Sequence, residues 1–258
     1  MGQHGSWPTV AITKEGYVIV VWSPHAFKNG SDLMYQVGQI DPYGSVNQSV
    51  TGLTAPAFWD SGFHTSIAIN DSGVIVGMHE TGYNSTGMYY RIGHLANPAR
   101  GKYSITWDSG FYGIFFDDGI NPHITLNNLN QVVESHQVPG ESLLHYHRGT
   151  LSGGTINFQP SQRYDNGGFA PALALLDSGF VAELHEGEPG IFSRTGMLDP
   201  SDPALIDWTN SVRIGDNTGE YPAIATNRFF LLGTWVNRSG AVTRLIYSVA
   251  AVPVGDTN

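Results

Sequence analysis

Three histidines in this sequence each precede a carboxylate or a carboxamide: His79-Glu80, His136-Gln137 and His185-Glu186, spaced 57 and 49 residues apart. Asp-rich turns alternate with them, at Asp60, Asp118, Asp165 and Asp216, and a large side chain recurs close behind or near the turns as Trp7, Phe63, Phe169 and Tyr221. Imidazole, carboxylate and carboxamide groups together both donate and accept hydrogen bonds, and aromatic faces stack on apolar surfaces. That inventory suits a sugar, whose hydroxyls need paired donors and acceptors and whose ring has an apolar face. Two of the carboxylates, held a fixed distance apart, would also suffice for glycoside hydrolysis. The plainer alternative is that the histidines tie loops by bonding backbone groups and that the Asp residues only form turns.

The spacing implies that one structural unit positions all of these groups. The segments Pro8–Thr13, Thr65–Asn70, Pro122–Asn127, Pro171–Leu176 and Pro222–Asn227 align without gaps, and their last residues lie 57, 57, 49 and 51 residues apart. In four copies Gly16, Gly73, Asn130 or Gly179 follows, residue types that accept the positive φ of a hairpin turn. A second strand then leads to the His slot. A third carries an apolar-x-Tyr-x-x-Gly pattern at Leu33/Tyr35/Gly38, Met88/Tyr90/Gly93 and Leu144/Tyr146/Gly149, weaker at Ile191/Ser193/Gly196 and Leu245/Tyr247/Ala250. A fourth is suggested by Leu53, Ile105–Trp107, Ile156–Phe158 and Ile206–Trp208. Four antiparallel strands in five copies predict a five-bladed β-propeller. The copies span residues 7–62, 63–119, 120–167, 168–218 and 219–258 of a single domain. The fifth leaves too little chain after Tyr247 for a complete fourth strand, so the last blade is expected to be incomplete or closed near the termini, with its edge a possible seat for another copy.

Composition agrees and excludes some partners. Charged residues are only 13% of the chain, the net charge is −10 and no basic cluster occurs, so a phosphate backbone would be repelled and nucleic acid is not an expected partner. With no cysteine, disulfides and thiolate metal sites are excluded. No apolar run approaches the ~20 residues that cross a bilayer, so no membrane insertion is expected. The chain is read as a soluble domain, with its compartment, secretion included, left open.

The five-copy arrangement with recurrent His-Glu/Gln and Leu-x-Tyr-x-x-Gly units resembles the multivalent β-propeller lectins. The resemblance implies a non-catalytic protein that binds glycans or glycoconjugates at repeated shallow sites on one face. On that reading the ligand-binding residues are His79, Glu80, His136, Gln137, His185, Glu186, Asp60, Asp118, Asp165, Asp216, Trp7, Phe63, Phe169 and Tyr221, with no cofactor and no metal. The alternative is a glycoside hydrolase or polysaccharide lyase; against it, Glu80 and Glu186 fill equivalent slots, whereas catalysis needs unlike groups at one place. A protein-interaction scaffold or toxin accessory module is the third reading.

Overall fold

The computed structural model describes residues 6–24, 32–40, 50–82, 85–99, 102–108, 113–215, 218–226, 229–239 and 242–252. Blade one consists of β1 (Ser6–Ile12), β2 (Tyr17–Ser23), β3 (Asp32–Ile40) and a fourth strand in two pieces, β4 (Val50–Thr51) and β5 (Ala57–Ser61). Blade two repeats it with β6 (Phe63–Ile69), β7 (Val74–Glu80), β8 (Gly87–Ala99), β9 (Lys102–Trp107) and β10 (Ile114–Asp118). Blade three has β11 (Ile120–Leu126), β12 (Gln131–Gln137), β13 (Leu144–Ser152), β14 (Thr155–Phe158) and β15 (Gln162–Asp165). Blade four has β16 (Gly168–Leu175), β17 (Phe180–Gly187), β18 (Gly190–Leu198), β19 (Ile206–Trp208) and β20 (Val212–Arg213). Blade five has only β21 (Gly219–Thr226), β22 (Phe230–Ser239) and β23 (Val242–Ala251). The architecture is an all-β, five-bladed β-propeller of antiparallel blades, and its last sheet is three-stranded among the described residues. None of the described elements is a helix long and apolar enough to cross a membrane.

The hairpin joining the first two strands is dictated locally. Gly16, Gly73, Asn130 and Gly179 take φ of 81°, 80°, 60° and 85°, the left-handed region that the turn demands. Each N–H closes the turn onto the carbonyl three residues back, at 3.0–3.1 Å. The carbonyls of Gly16, Gly73, Asn130 and Gly179 then receive the N–H of Ile40, Leu95, Leu151 and Leu198 near the end of the third strand, so one residue fixes three strands.

Two compact units divide the chain, residues 1–130 with 151–156 and residues 131–150 with 157–258. In the first, β1, β6 and β11 lie side by side, and the core gathers Ile19, Val21, Leu33, Trp59, Ile67 and Ile75 between blades one and two. In the second, β16 lies between β12 and β21, and Val133, Tyr146, Leu173, Val181 and Ile206 form the core between blades three and four. Full burial of each such side chain contributes about 1.5–3 kcal/mol.

The two units solve the same packing problem with different residue pairs. In the first, Trp59 lies over Gly77, where a Cβ would come 2.7 Å from the indole. In the second, the corresponding residues are Tyr164 and Glu183: the smaller ring leaves room for a carboxylate, which accepts the Tyr164 hydroxyl at 3.2 Å. Both aromatics stack on a fourth-strand tryptophan, Trp107 at 5.3 Å and Trp208 at 5.2 Å.

Candidate functional site

The first strand of every blade opens with a distortion that the sequence does not announce. Trp7, His64, Asn121, Ala170 and Tyr221 take φ of 48°, 41°, 52°, 42° and 55°. In β1, β6, β16 and β21 the pairing register slips across this residue, which marks a β-bulge. A left-handed conformation at a residue with a Cβ costs roughly 1–2 kcal/mol, so something must hold it. At Asn121 and Tyr221 the strand-two carboxylate does so. Glu80 Oε1 accepts the Asn121 N–H at 2.5 Å, and Glu186 Oε1 accepts the Tyr221 N–H at 2.5 Å. In each case the carboxylate of one blade clamps the bulge of the next.

Glu80 does a second thing. Its Oε1 also lies 2.7 Å from His64 Nδ1, where a carboxylate, which only accepts, takes the imidazole N–H. The His64 ring meets the edge of Trp7 at 4.5 Å, and Trp7 packs on Phe63 at 4.8 Å. The rim of the first unit is therefore an aromatic and imidazole surface backed by a buried carboxylate.

The strand-two histidines lie deeper. His79, His136 and His185 are each 2% exposed. His79 Nδ1 bonds the Glu80 carbonyl at 2.8 Å, and its Nε2 lies 3.2 Å from Asp60. His136 Nδ1 faces Glu134 at 3.1 Å. His185 Nδ1 faces Glu183 at 2.9 Å, with Asp165 3.6 Å from its other nitrogen. Arg91 and Arg194 complete two of these clusters: Arg91 reaches the Trp59 carbonyl, and Arg194 reaches Asp165 and the Tyr164 carbonyl. Burial raises the Glu183 carboxyl, opposed by His185, and pushes the Tyr164 hydroxyl well above its ordinary value, with Glu183 adding to the shift. Burial lowers the Arg91 guanidinium, which Asp60 partly offsets. These clusters join the second, third and fourth strands of neighbouring blades.

The remaining sequence candidates divide in the same way. Phe63 is fully buried, while Trp7 and Phe169 are half-buried and Tyr221 is 56% exposed. Gln137 is buried and donates to the Glu141 carbonyl at 3.0 Å. Asp60 and Asp165 receive the N–H of the following residue, at 2.8 and 2.6 Å. Blade two needs a correction: Asp60 and Asp165 pair with Leu33 and Leu144, but the residue opposite the equivalent Met88 is Asp117. Asp118 is the next residue, exposed and bonded to Thr86 at 3.0 Å. Asp216 lies outside the described residues. Phe63 and Phe169 also stand one position before the bulge residue, so they do not share a slot with Trp7 and Tyr221.

The group that repeat-based reasoning passed over is Glu220. It precedes Tyr221 in the slot that Phe63 and Phe169 fill in other blades, and it pairs with Arg238 at 3.4 Å. Arg238 in turn lies over the Tyr221 ring at 5.6 Å. Burial pushes the Glu186 carboxyl above its ordinary range and the charge of Glu220 pushes it further, against the stabilising Tyr221 N–H. The second unit thus carries, at one rim, two unlike carboxylates beside an exposed aromatic ring.

No protein-family model and no curated protein sequence matches this chain. Among solved structures, the α-L-arabinofuranosidase of Podospora anserina in complex with cellotriose is similar, with a TM-score of 0.54 and 12% identity over 97% of this chain and 91% of that one. A Hadza microbial sialidase gives a TM-score of 0.53 and 11% identity over 89% of this chain and 53% of that one. The xylan β-1,4-xylosidase of Bacillus halodurans gives 0.50 and 9% over 96% and 52%. The chain spans about half the length of the last two. At these identities the likeness establishes the fold alone.

The three similar structures bear the names of glycosidases and none is named a lectin, so the reading of the chain as a non-catalytic multivalent lectin is not upheld. The repeated His and Glu groups bond neighbouring strands and bulges, and the rim groups differ from blade to blade.

Proposed function

We propose that this chain is a glycoside hydrolase whose reacting groups stand at the strand-one rim of the second unit. Glu186 donates the proton to the leaving oxygen, Glu220 is the partner carboxylate, and Tyr221 is a platform on which a sugar ring stacks. The observation that carries the reading is the Glu186 carboxyl, held above its ordinary range by burial and by Glu220, next to an exposed aromatic face. A general acid must hold its proton near the working pH, and burial with a like-charged neighbour is how a carboxyl does so. Once Glu186 has given up its proton, the glycosyl centre is attacked either by Glu220 or by a water that Glu220 deprotonates. Retained or inverted anomeric configuration in the product distinguishes these routes. Trp7, with His64 beside it, is the proposed stacking surface of the first unit.

The test is hydrolysis of gluco- and xylo-oligosaccharides, arabinofuranosides and sialosides, the classes suggested by the neighbours' names, followed by product analysis. Products with new reducing ends support the reading, whereas unsaturated products would indicate a lyase. Replacement of Glu186 by Gln should lower kcat by about 10²–10⁴-fold, the usual contribution of a positioned acid. Glutamine fits the slot, since Gln137 occupies it in blade three. Absence of turnover across the panel, or an unimpaired E186Q, would refute the assignment.

A further inference from the structure

Blade five reverses the placement of the rim carboxylate. Glu80 and Glu186 stand on second strands, opposite Phe63 and Phe169 of the first, whereas Val236 fills their place on β22 and faces Glu220 on β21. The cation that meets Glu220 is Arg238, two residues beyond Val236, with Nε 3.4 Å from Oε2. The backbone fixes where that side chain begins. The Arg238 N–H donates to the Thr218 carbonyl at 3.4 Å, Asn237 pairs with Gly219, and the Thr218 hydroxyl donates to Asn237 Oδ1 at 2.5 Å. From there the guanidinium reaches over the Tyr221 ring, 5.6 Å from its centre.

Stability does not account for this pair. The Arg238 and Glu220 side chains are 54% and 38% exposed, and an ion pair so open to water contributes little to folding. Its effect is on placement. A guanidinium is planar and can pair with a carboxylate through an edge while its charge rests on an aromatic face, which an ammonium on a flexible stem does less well. Arg238 joins the partner carboxylate of the site to the ring beside it in this way.

We propose that Arg238 is a positioning residue for glycoside hydrolysis: its planar guanidinium ties the Glu220 carboxylate to the Tyr221 platform. The inference rests on the glycoside hydrolase reading above. The guanidinium takes one face of the Tyr221 ring and leaves the other to a sugar. When Glu186 gives up its proton a second negative charge develops beside Glu220, and the Arg238 cation offsets it. Arg238 itself touches neither the sugar nor the reacting atoms, so its loss belongs in kcat and not in KM. Because it acts on Glu220, on the attacking side, the loss does not depend on how readily the leaving group departs.

The experiment measures kcat and KM of the parent, E186Q, R238Q and R238K on an oligosaccharide and on an aryl glycoside of the same sugar. R238Q should lower kcat about 10²-fold on both substrates, the scale on which a misplaced group costs, with KM within about threefold and an unchanged melting temperature. R238K keeps the charge without the planar fork and should recover less than about tenfold of that loss. An unimpaired R238Q, full recovery by R238K, or a raised KM at intact kcat overturns the proposal, the last making Arg238 a sugar contact. So does a loss confined to the oligosaccharide, since Arg238 would then act through Glu186, and so does a loss that accompanies a lower melting temperature. The two readings fail differently. An active parent that E186Q impairs and R238Q does not refutes the role of Arg238 alone, whereas an inactive parent or an unimpaired E186Q refutes the site and Arg238 with it.

Discussion

Glu80 is the residue whose replacement most sharply tests the clamp on which the rim depends. Its side chain is 4% exposed, and Oε1 receives both the Asn121 N–H at 2.5 Å and His64 Nδ1 at 2.7 Å. Replacement by Ala takes the acceptor from a backbone amide held at φ 52° and from an imidazole. A hydrogen bond to a charged group contributes about 1.5–3 kcal/mol, and a donor left unmet in the interior costs about 1–3 kcal/mol. The amide cannot turn away, so it should bring about 2–3 kcal/mol; the half-buried imidazole can turn toward water and adds ~1 kcal/mol at most. E80A should therefore lose about 3 kcal/mol, whereas E80Q, which keeps an oxygen for the amide, should lose only ~1 kcal/mol. Urea unfolding followed by tryptophan fluorescence reads the difference as a shift in midpoint at constant slope. The clamp would be refuted if E80A stayed within about 0.5 kcal/mol of the parent, or if E80Q were as damaging as E80A.

Three further outcomes follow from the same geometry. G77A should destabilise by about 1–3 kcal/mol through overpacking against Trp59, and W59Y should relieve it; thermal melts of the single and double variants check the coupling. Loss of activity with rising pH should occur above the ordinary glutamate range, because only protonated Glu186 donates; E220Q, which also removes the attacking or water-activating carboxylate and should be inactive, takes away one of the two causes of the raised value and should move the Glu186 titration, followed by carboxyl NMR, to lower pH, leaving burial to hold part of the shift. Burial lowers the His123 imidazole to about 4, so the folded chain keeps it neutral where an unfolded chain would take up a proton. Its contribution is thus lost as pH falls from the ordinary histidine range toward 4; H123Q should flatten the stability profile over that window, read by chemical unfolding at several pH values.

Much of the fold can be read along the chain because its repeats obey strong local rules. Gly16, Gly73, Asn130 and Gly179 recur where the turn requires positive φ, and apolar residues recur with the period of a strand. The second pieces of the fourth strands, such as β10 and β15, are less legible because they are only four or five residues long and follow an interruption. A slip of one residue there exchanges Asp117 for Asp118, and with it a half-buried position for an exposed one. The bulge is hidden for a different reason. Trp7, His64, Asn121, Ala170 and Tyr221 share a backbone conformation and no side-chain chemistry, and the prolines after Trp7, Asn121, Ala170 and Tyr221 argue locally for extended backbone. A carboxylate on another blade decides the conformation at Asn121 and Tyr221, and that contact is far away in sequence. Glu220 escapes notice because a search for recurrence discards unlike residues, and a catalytic pair is made of unlike residues.

The central claim is that Glu186 acts as an acid on a glycosidic oxygen. Its most direct test compares E186Q with the parent on two substrates sharing one sugar, a natural oligosaccharide and an aryl glycoside whose phenol leaves readily. A lost proton donor should depress kcat on the oligosaccharide by about 10²–10⁴-fold and hardly affect the aryl glycoside, which needs little protonation to leave. Equal losses on both substrates would make Glu186 only a clamp for the Tyr221 bulge, and no loss on either would contradict the claim outright.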